Sequence, residues 1–532
     1  AFILKRVLAS MSILLNERSA TALSAIDLAI LISRVESICV EMGAVLQHAA
    51  FSPNIKDRLD YSCALFDAKG ELYAQAAHIP VHLGSMAYAM ADIVDGIDWQ
   101  AGDMLVLNDP FLGGTHLPDV TMVAPLFVAG VLVSFVANRA HHANIGASTP
   151  GSMPISRTIE DEGLLIPPTL MMRNGERLPA AEEYFSQLQG SDTSGDFAAQ
   201  VSANRVGLAR LEQLVQQRPL AVFLGGIEAI NNYGERLARA SIAAIPAGRY
   251  SFEDFMDGDG FGARDVLIKI QVDVADGQLA VDFSGTSNQV QGNINCPLAV
   301  AAAAVYYVVR CLLPAHAPAC AGTFRCISLK APLGSLVNAR RPAATAAGNV
   351  ETSMRIVDVL LGALAQALPE RIPAASQGTM NNVAMGNHQT QPGWDYYETL
   401  GGGMGAARLT PGLSAVQCHM TNTLNTPIES LEHHYPLRIR EYAIRRNSGG
   451  HGAQPGGNGL VREFEFLATA EVTLLTERRA RGPWGLAGGE AGKAGHNWLD
   501  GVELPAKVHI SVGAGQVLRV ETPGGGGFGV KA

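Results

Sequence analysis

Residues Asn108 to Asp119 read NDPFLGGTHLPD, and this stretch is the most informative in the chain. A short β-strand is predicted just before it, and two adjacent glycines in its middle indicate a tight turn. His116 and Asp119 follow that turn and stand three residues apart. Side chains at positions i and i+3 can face a common point on a tight turn or on one turn of helix. The stretch therefore offers an imidazole and a carboxylate to the same place.

A second stretch, Ala137 to Gly146, reads ANRAHHANIG and places His141 and His142 beside the predicted end of a strand. Two imidazoles and a carboxylate make a mixed nitrogen and oxygen site that suits a divalent metal such as Zn, Mn or Fe. Three protein ligands would leave one position open for a water molecule, which the metal would acidify. The alternative is that these histidines hydrogen-bond the backbone of loops, since a His-x-x-Asp pattern is common.

A third group of polar residues lies in otherwise apolar sequence. Residues 52–62 read SPNIKDRLDYS and residues 80–84 read PVHLG, which brings in Arg58, Asp60 and His82. Such groups could orient metal ligands or contact a substrate. The other interpretation is that the charges of the first segment simply form a solvated cluster.

Outward from these stretches the hydrophobic pattern changes between helical and strand periods, which predicts a mixed α/β (α+β) fold. Helical spacing occurs at 26–46, 204–246, after Asn293–Asn295, and at 352–368. Strand patterns occur at 61–66, 105–107 and 121–136, with a hairpin at 266–283 that turns at Asp276-Gly277.

The last third of the chain has a different character. From Gly401 onward it is rich in glycine and in short alternating segments, which predicts β structure with many tight turns. The terminal PGGGGFG at 523–529 is either a flexible loop or a place where backbones approach closely. These changes suggest a multi-domain chain with a leader at 1–23 and regions at 24–265, 266–400 and 401–532.

Composition limits the classes of partner. Of the 532 residues only 17% are charged, and the net charge is -10 with no basic run, which argues against nucleic acid. So few charges favour a surface hidden against a partner subunit. The seven cysteines include no CxxC pair, which is typical of reduced thiols in the cytoplasm. No apolar stretch is long enough to span a membrane. Lys5-Arg6 and the apolar run after them resemble a short signal peptide without a cleavage site, so we expect a cytoplasmic protein.

The sequence contains no recognisable nucleotide site of its own. A GxxxxGK[ST] phosphate loop is absent. Gly489 to Lys493 matches only part of that motif, because no hydroxyl residue follows Lys493. The GGGMG at 401–405 lacks the βαβ pattern of a dinucleotide fingerprint, and no GxSxG elbow occurs.

Eleven ordered segments resemble the hydantoinase B/oxoprolinase family and together cover about residues 26–528. They include SPNIKDRLDYSCALFDAKGEL, HIPVHLGSM, NDPFLGGTHLPDV, ANRAHHANIG, GSMP, EDEGLLIPP, GNINCP, PAATAAGNVETSMRIVD, NTPIESLEHHYPLRIREY, LLTERRARGPWGL and TPGGGGFG. The resemblance implies a hydrolytic, metal-binding subunit of an ATP-dependent cyclic-amide hydrolase that acts on hydantoin, oxoproline or lactam rings. It also implies a hetero-oligomer, in which a hydantoinase A-type partner binds ATP and phosphorylates the ring amide.

The resemblance assigns roles to the polar residues already described. The implied metal ligands are His116, Asp119 and His141. The resemblance makes His142 a supporting residue or an alternative ligand. From the residues themselves, Asp60, His82 and His142 are candidate catalytic groups, and Arg58 and Asn108 are candidate substrate contacts.

Three positions depart from the family's usual pattern. Asn144 stands where an aspartate is usual, and Asn447 and Pro455 replace a carboxylate and a cation. Two alternatives stay open beside the hydrolase, of which the second is the one that these departures favour. One is a subunit of an ATP-dependent, biotin-independent ketone carboxylase of the acetone carboxylase type. The other is a non-catalytic scaffold subunit.

Overall fold

The computed structural model of the chain describes residues 23–76, 79–82, 84–188, 191–390 and 393–531. Residues 1–22 of the predicted leader lie outside this part. Within the described ranges no helix is both long and apolar enough to cross a membrane. Helices and strands contribute in similar measure, and the strands form several sheets. The predicted mixed fold is therefore confirmed.

A seven-stranded sheet with the order β2-β1-β5-β4-β3-β6-β7 forms the N-terminal part of the molecule. Its strands are β1 (Tyr61–Asp67), β2 (Leu72–Gln75), β3 (Met104–Leu107), β4 (Asp119–Val128), β5 (Val131–His141), β6 (Thr169–Arg173) and β7 (Glu176–Arg177). The long antiparallel pair β4–β5 pairs Asp119 with His141 at its open end. This register determines the position of the candidate site.

Helices pack against this sheet because their apolar faces need cover. They are α1 (Ala25–Ala49), α2 (Pro53–Lys56), α3 (Ser85–Ile93), α4 (Pro179–Phe185), α5 (Ser191–Gln216) and α6 (Leu220–Ala243). The segment 204–246, predicted to be helical, contains the end of α5 and the whole of α6. The two helices are separated at Pro219, which lacks the N–H that would continue a helix from the preceding turn. Buried side chains of α1, α5 and α6 join those of the sheet in one core.

A second core surrounds the strands β8 (Gly248–Gly258), β9 (Arg264–Ala275), β10 (Gln278–Asp282) and β11 (Ile327–Lys330). The predicted hairpin at 266–283 is β9–β10. Two helices pack beside them, the alanine- and valine-rich α7 (Leu298–Leu312) and α8 (Ser353–Ala365), and every residue of α8 is buried. A π-helical turn at Gly348–Thr352 leads into α8. Such turns are rare and are frequent at functional sites.

The C-terminal part is rich in β structure, as its alternating segments predicted, and its strands form two sheets. One has the order β13-β12-β16-β19 and the other β14-β15-β20-β17-β18. The elements are β12 (Asn382–Asn387), β13 (Trp394–Thr399), α9 (Ile428–His434), β14 (Leu437–Arg445), β15 (Gly459–Phe466), β16 (Ala470–Leu475), β17 (His496–Leu499), β18 (Val502–Leu504), β19 (Lys507–Val512) and β20 (Val517–Glu521). Two of the proposed region boundaries fall inside paired structure, since β8 pairs with β9 across residue 265 and β12 pairs with β16 across residue 400.

The glycine-rich segments lie side by side as closely packed backbones. Backbone N–H groups of Gly403, Gly456 and Gly525 donate to the carbonyl oxygens of Pro523, Gly450 and Gly457, respectively. A Cβ on Gly403 would lie 2.1 Å from the Gly457 carbonyl oxygen, which is far inside contact distance. Of the two interpretations of the glycine-rich tail, close backbone approach is therefore the one that the structure shows.

Candidate metal centre

The turn before β4 is built by two special residues. Asp109 accepts the N–H of Phe111 at 3.0 Å and so caps a 3-10 turn at Pro110–Leu112. Gly113 follows with φ +82°, and a Cβ there would lie 2.1 Å from the Ala89 nitrogen. Only glycine fits this position. The turn delivers His116 and Asp119 into the interior at the start of β4.

The structure brings together the three residues that the sequence suggested as metal ligands. His116, Asp119 and His141 are all buried, and one possible ligand atom from each lies within 4.8 Å of the others. His116 Nε2 is 3.4 Å from Asp119 Oδ2. Among the described residues, nothing hydrogen-bonds either nitrogen of His116, Asp119 Oδ1 or His141 Nε2. Buried polar atoms rarely lack partners, so this donor set fits a divalent cation.

Electrostatics favour the ligand forms of these side chains. Burial alone would raise the pKa of Asp119, but the rings of His116 and His82 outweigh it and hold that pKa well below its usual range. Burial, and then the nearby His116, hold the pKa of His141 well below its usual value. The site therefore presents a carboxylate and a neutral imidazole, which are the forms that bind metal.

Asn54 fixes the orientation of the His141 ring. Its side-chain amide lies 3.1 Å from His141 Nδ1, which leaves Nε2 as the free nitrogen. In the structure the Asn54 nitrogen faces Nδ1, and the Asn54 oxygen accepts from Arg58 at 3.4 Å, at the long limit for a hydrogen bond. A neutral imidazole that binds metal through Nε2 carries its proton on Nδ1. Metal binding through Nε2 therefore requires the Asn54 amide to turn over and present its oxygen to that N–H, which gives up the bond to Arg58.

His82 and Asp60 lie beside this cluster. His82 Nε2 is 3.2 Å from Asp119 Oδ2, while its Nδ1 is 2.9 Å from the hydroxyl of Ser62. The hydroxyl of Thr115 donates to the same Asp119 oxygen. Asp60 lines a small cavity beside the cluster. Burial raises the pKa of its carboxyl, although Arg58 works against that shift.

The other predicted site residues lie farther from the cluster and have structural contacts. Arg58 donates to the Tyr397 carbonyl at 3.0 Å and to the Thr399 hydroxyl at 3.2 Å. Asn108 bonds three backbone groups, the carbonyls of Leu117 and Leu164 and the N–H of Ile166. These contacts hold the turn that carries His116.

His142 points away from the cluster. Its Nε2 lies 2.9 Å from Gln200 Oε1, and its ring packs on Phe197 with centroids 4.4 Å apart. Both of those residues belong to α5, behind the sheet. A catalytic role for His142 stays a prediction, and the structure does not bring it to the three grouped residues.

A cavity of about 20 Å³ adjoins the cluster, which is room for one water molecule. Its near wall consists of Asp60, His82, His116, Asp119 and His141. Its far wall includes Asn349, Val350, Met380, Tyr397 and Met420, none of which the sequence analysis singled out. Asn349 and Val350 belong to the quoted GNVETS segment, but nothing in that segment shows which distant residues it will face.

Of the three departures from the family pattern, Asn144 has a side-chain contact that explains it, and nothing in the structure explains Asn447 in place of a carboxylate or Pro455 in place of a cation. The Asn144 amide donates to Asp395 Oδ2 at 3.0 Å, which an aspartate at position 144 could do only in its protonated form. Asn447 has φ 59°, a left-handed conformation that asparagine tolerates well. Pro455 accepts the N–H of Gly412 in the glycine-rich region. None of the three lines the cavity.

The chain matches one protein family over nearly its whole length. The profile of the hydantoinase B/oxoprolinase family matches residues 24–531. The chain belongs to that family. Among curated relatives, 5-oxoprolinase 1 of Arabidopsis thaliana is 39% identical over 95% of this chain and 42% of its own length. One subunit of a putative D-/L-hydantoinase from Pseudomonas sp. (strain NS671) is 30% identical over 95% of this chain and 90% of its own length.

Two solved structures share the fold of this family member. The ATP-dependent caprolactamase from Pseudomonas jessenii superposes with a TM-score of 0.90 at 27% identity, over 96% of this chain and 92% of that one. Nucleotide-free acetone carboxylase gives 0.84 at 18% identity, over 94% of this chain and 75% of that one. The chain spans about two fifths of the length of the 5-oxoprolinases that it matches.

Proposed function

We propose that this chain is the hydrolytic, metal-binding subunit of an ATP-dependent cyclic-amide hydrolase. The observation that carries the proposal is the buried group of His116, Asp119 and His141, whose ligand atoms lack protein partners at the wall of a cavity. The family and the names of its relatives indicate the reaction class, because both 5-oxoprolinase and caprolactamase open a cyclic amide.

Phosphorylation would have to be supplied from outside this chain. An amide carbon is a poor electrophile, and transfer of a phosphoryl group to its oxygen makes it reactive. The longer 5-oxoprolinases have sequence beyond the part that this chain matches, and the hydantoinase relative is named as one subunit of its enzyme. We therefore infer a hydantoinase A-type partner that binds ATP and phosphorylates the ring amide oxygen.

The residues of this chain then promote attack by water on the activated ring carbon. A divalent cation held by His116, Asp119 and His141 supplies Lewis acidity that lowers the pKa of water. His82 and Thr115 hold the Asp119 carboxylate in place. The Asp60 carboxylate lines the cavity and can take the proton that the water loses. The carbon–nitrogen bond then breaks, the ring nitrogen takes a proton, and the phosphoryl group stays on the carbon as an acyl phosphate. A second water hydrolyses the acyl phosphate, which releases phosphate and leaves the ring-opened carboxylic acid.

The experiment is ring opening by the chain co-purified with a hydantoinase A-type subunit. We expect ATP-dependent opening of 5-oxoproline, hydantoin or caprolactam, with a loss of at least about 100-fold in Asp119→Asn. Asp276→Asn in the β9–β10 turn is the matched control and should keep full activity.

The likeness to acetone carboxylase makes one alternative worth assaying beside it. That likeness shows the fold alone at 18% identity. Turnover of acetone with bicarbonate and ATP, without opening of any of the three rings, would favour the carboxylase and contradict the hydrolase. Ring opening that persists unchanged in Asp119→Asn would contradict the assigned site.

A further inference from the structure

The ring of Tyr397 packs face to face on the candidate ligand His141. Their centroids are 4.8 Å apart and their planes differ by 3°. Asn54 meets the edge of the same imidazole at Nδ1. The stacked ring fixes the plane of the imidazole and the edge contact fixes its rotation. A displacement of Tyr397 would therefore move His141 Nε2 relative to His116 and Asp119.

Tyr397 is itself held by a chain of hydrogen bonds that leads away from the cavity. Its hydroxyl donates to Asn382 Oδ1 at 2.7 Å. Asn382 Nδ2 donates to the Leu475 carbonyl at 2.9 Å and to Glu351 Oε1 at 2.7 Å. A carbonyl can only accept, so the Leu475 contact determines which way the Asn382 amide points. Glu351, Asn382 and Tyr397 are all buried.

The charged groups that act on Glu351 are the carboxylate of Glu477 and the cations Lys507 and Arg479. Lys507 is already paired with Glu477, which also faces Arg355 at 3.6 Å. Burial raises the pKa of Glu351 to about 8, and Glu477 adds to that shift, although Thr379, Lys507 and Arg479 work against it. The acid form of Glu351 therefore prevails at neutral pH.

We propose that Glu351, Asn382 and Tyr397 form a positioning chain that holds the His141 imidazole ready to bind a divalent cation. The inference rests on the proposed function, because it needs His141 to be a metal ligand. Glu351 Oε1 anchors the chain by accepting from Asn382 and from the Met380 N–H at 3.1 Å. Its sequence neighbours Asn349 and Val350 line the cavity. As an uncharged acid, Glu351 accepts these bonds without placing a negative charge behind them.

The first test compares two tyrosines of β13. Tyr397→Phe keeps the stacked ring and removes the bond to Asn382. Tyr396→Phe removes a buried hydroxyl that donates to Glu398 instead. The measurement is the Kd for Zn²⁺ of the purified chain, by competition with a chelator, with Asp119→Ala defining binding outside the site. We expect Zn²⁺ affinity to fall about tenfold in Tyr397→Phe and to stay unchanged in Tyr396→Phe.

The second test concerns the charge of Glu351. Glu351→Gln keeps an uncharged acceptor of the same shape, so its Kd for Zn²⁺ should stay within about twofold of wild type. Glu351→Ala removes the anchor and should weaken Zn²⁺ binding about tenfold. Thermal unfolding of each variant separates a loss of metal affinity from a general loss of stability.

The possible outcomes separate this inference from the proposed function. Unchanged Zn²⁺ affinity in Tyr397→Phe, or a Gln variant as weak as the Ala variant, would overturn the positioning chain alone. A wild-type chain that binds no more Zn²⁺ than Asp119→Ala would overturn both the chain and the metal centre on which it depends.

Discussion

Asp119 and His141 are directly opposed residues of the antiparallel pair β4–β5, although 22 positions separate them in the sequence. Opposed side chains on one face of such a pair lie about 5 Å apart at Cβ. Strand pairing thus brings the Asp119 carboxylate and the His141 imidazole together. The turn before β4 adds His116, three residues before Asp119 in the sequence. The rigidity of the site comes from a sheet, which holds side chains more firmly than a loop does.

Close backbone packing in the glycine-rich region should make Gly403→Ala strongly destabilising. The added Cβ would lie 2.1 Å from the Gly457 carbonyl oxygen and 2.2 Å from the Gly525 nitrogen. We expect a loss of about 3 kcal/mol or more in the free energy of urea unfolding. The matched control is Gly225→Ala on the exposed face of α6, where a Cβ meets nothing within 4 Å. There alanine should stabilise by up to about 1 kcal/mol. Equal effects of the two substitutions would contradict the packing argument.

The pH dependence of stability should include a contribution from Glu162. Burial raises the pKa of this carboxyl from 4.5 to about 7, although it accepts the N–H groups of Thr345 and Ala346. Because the folded pKa lies above the unfolded one, its contribution is full below about pH 4.5 and is lost as pH rises through 7.

Glu162→Gln removes that titration and keeps the acceptor. The unfolding free energy of the variant minus that of the wild type should therefore increase from pH 5 to pH 9. Urea unfolding of both proteins at pH 5, 7 and 9 measures this difference. A stability difference that is the same at all three values would rule out a raised pKa for Glu162.

Asn144 and Asp395 form a pair whose polarity can be reversed. The Asn144 amide donates to Asp395 Oδ2, and Asp395 Oδ1 accepts the Gly151 N–H. Asn144→Asp would set two carboxylates against each other and should lower the unfolding free energy by about 1–2 kcal/mol at pH 7. The double variant Asn144→Asp/Asp395→Asn should recover most of that loss in a double-mutant cycle. Purely additive losses would show that the two side chains do not interact.

Much of the candidate site could be predicted from sequence because its parts are local. The spacing of His116 and Asp119, and the strand end at His141, follow from turn signals and periodicity. His142 illustrates the limit of that reasoning, since adjacent residues on a strand point to opposite faces. The sequence named both histidines, and only the register of β4–β5 shows which one faces Asp119.

The far wall of the cavity could not be predicted in this way. Tyr397 reaches His141 from a strand more than 250 positions away, and Asn349 faces the cluster from a π-helical turn. No local period encodes such contacts. The break in the helical pattern at 204–246 is of another kind, because Pro219 is itself a sequence signal for a helix boundary that the apolar period overrode in the prediction.

The most direct test of the metal centre is elemental analysis of the purified chain beside its single histidine variants. We predict close to one equivalent of Zn, Mn or Fe in the wild type and its loss in His116→Ala and His141→Ala. His142→Ala is the matched control, since this neighbour packs on Phe197 behind the sheet, and it should keep the metal. A wild-type chain without metal, or a metal content that is the same in His141→Ala and His142→Ala, would contradict the account.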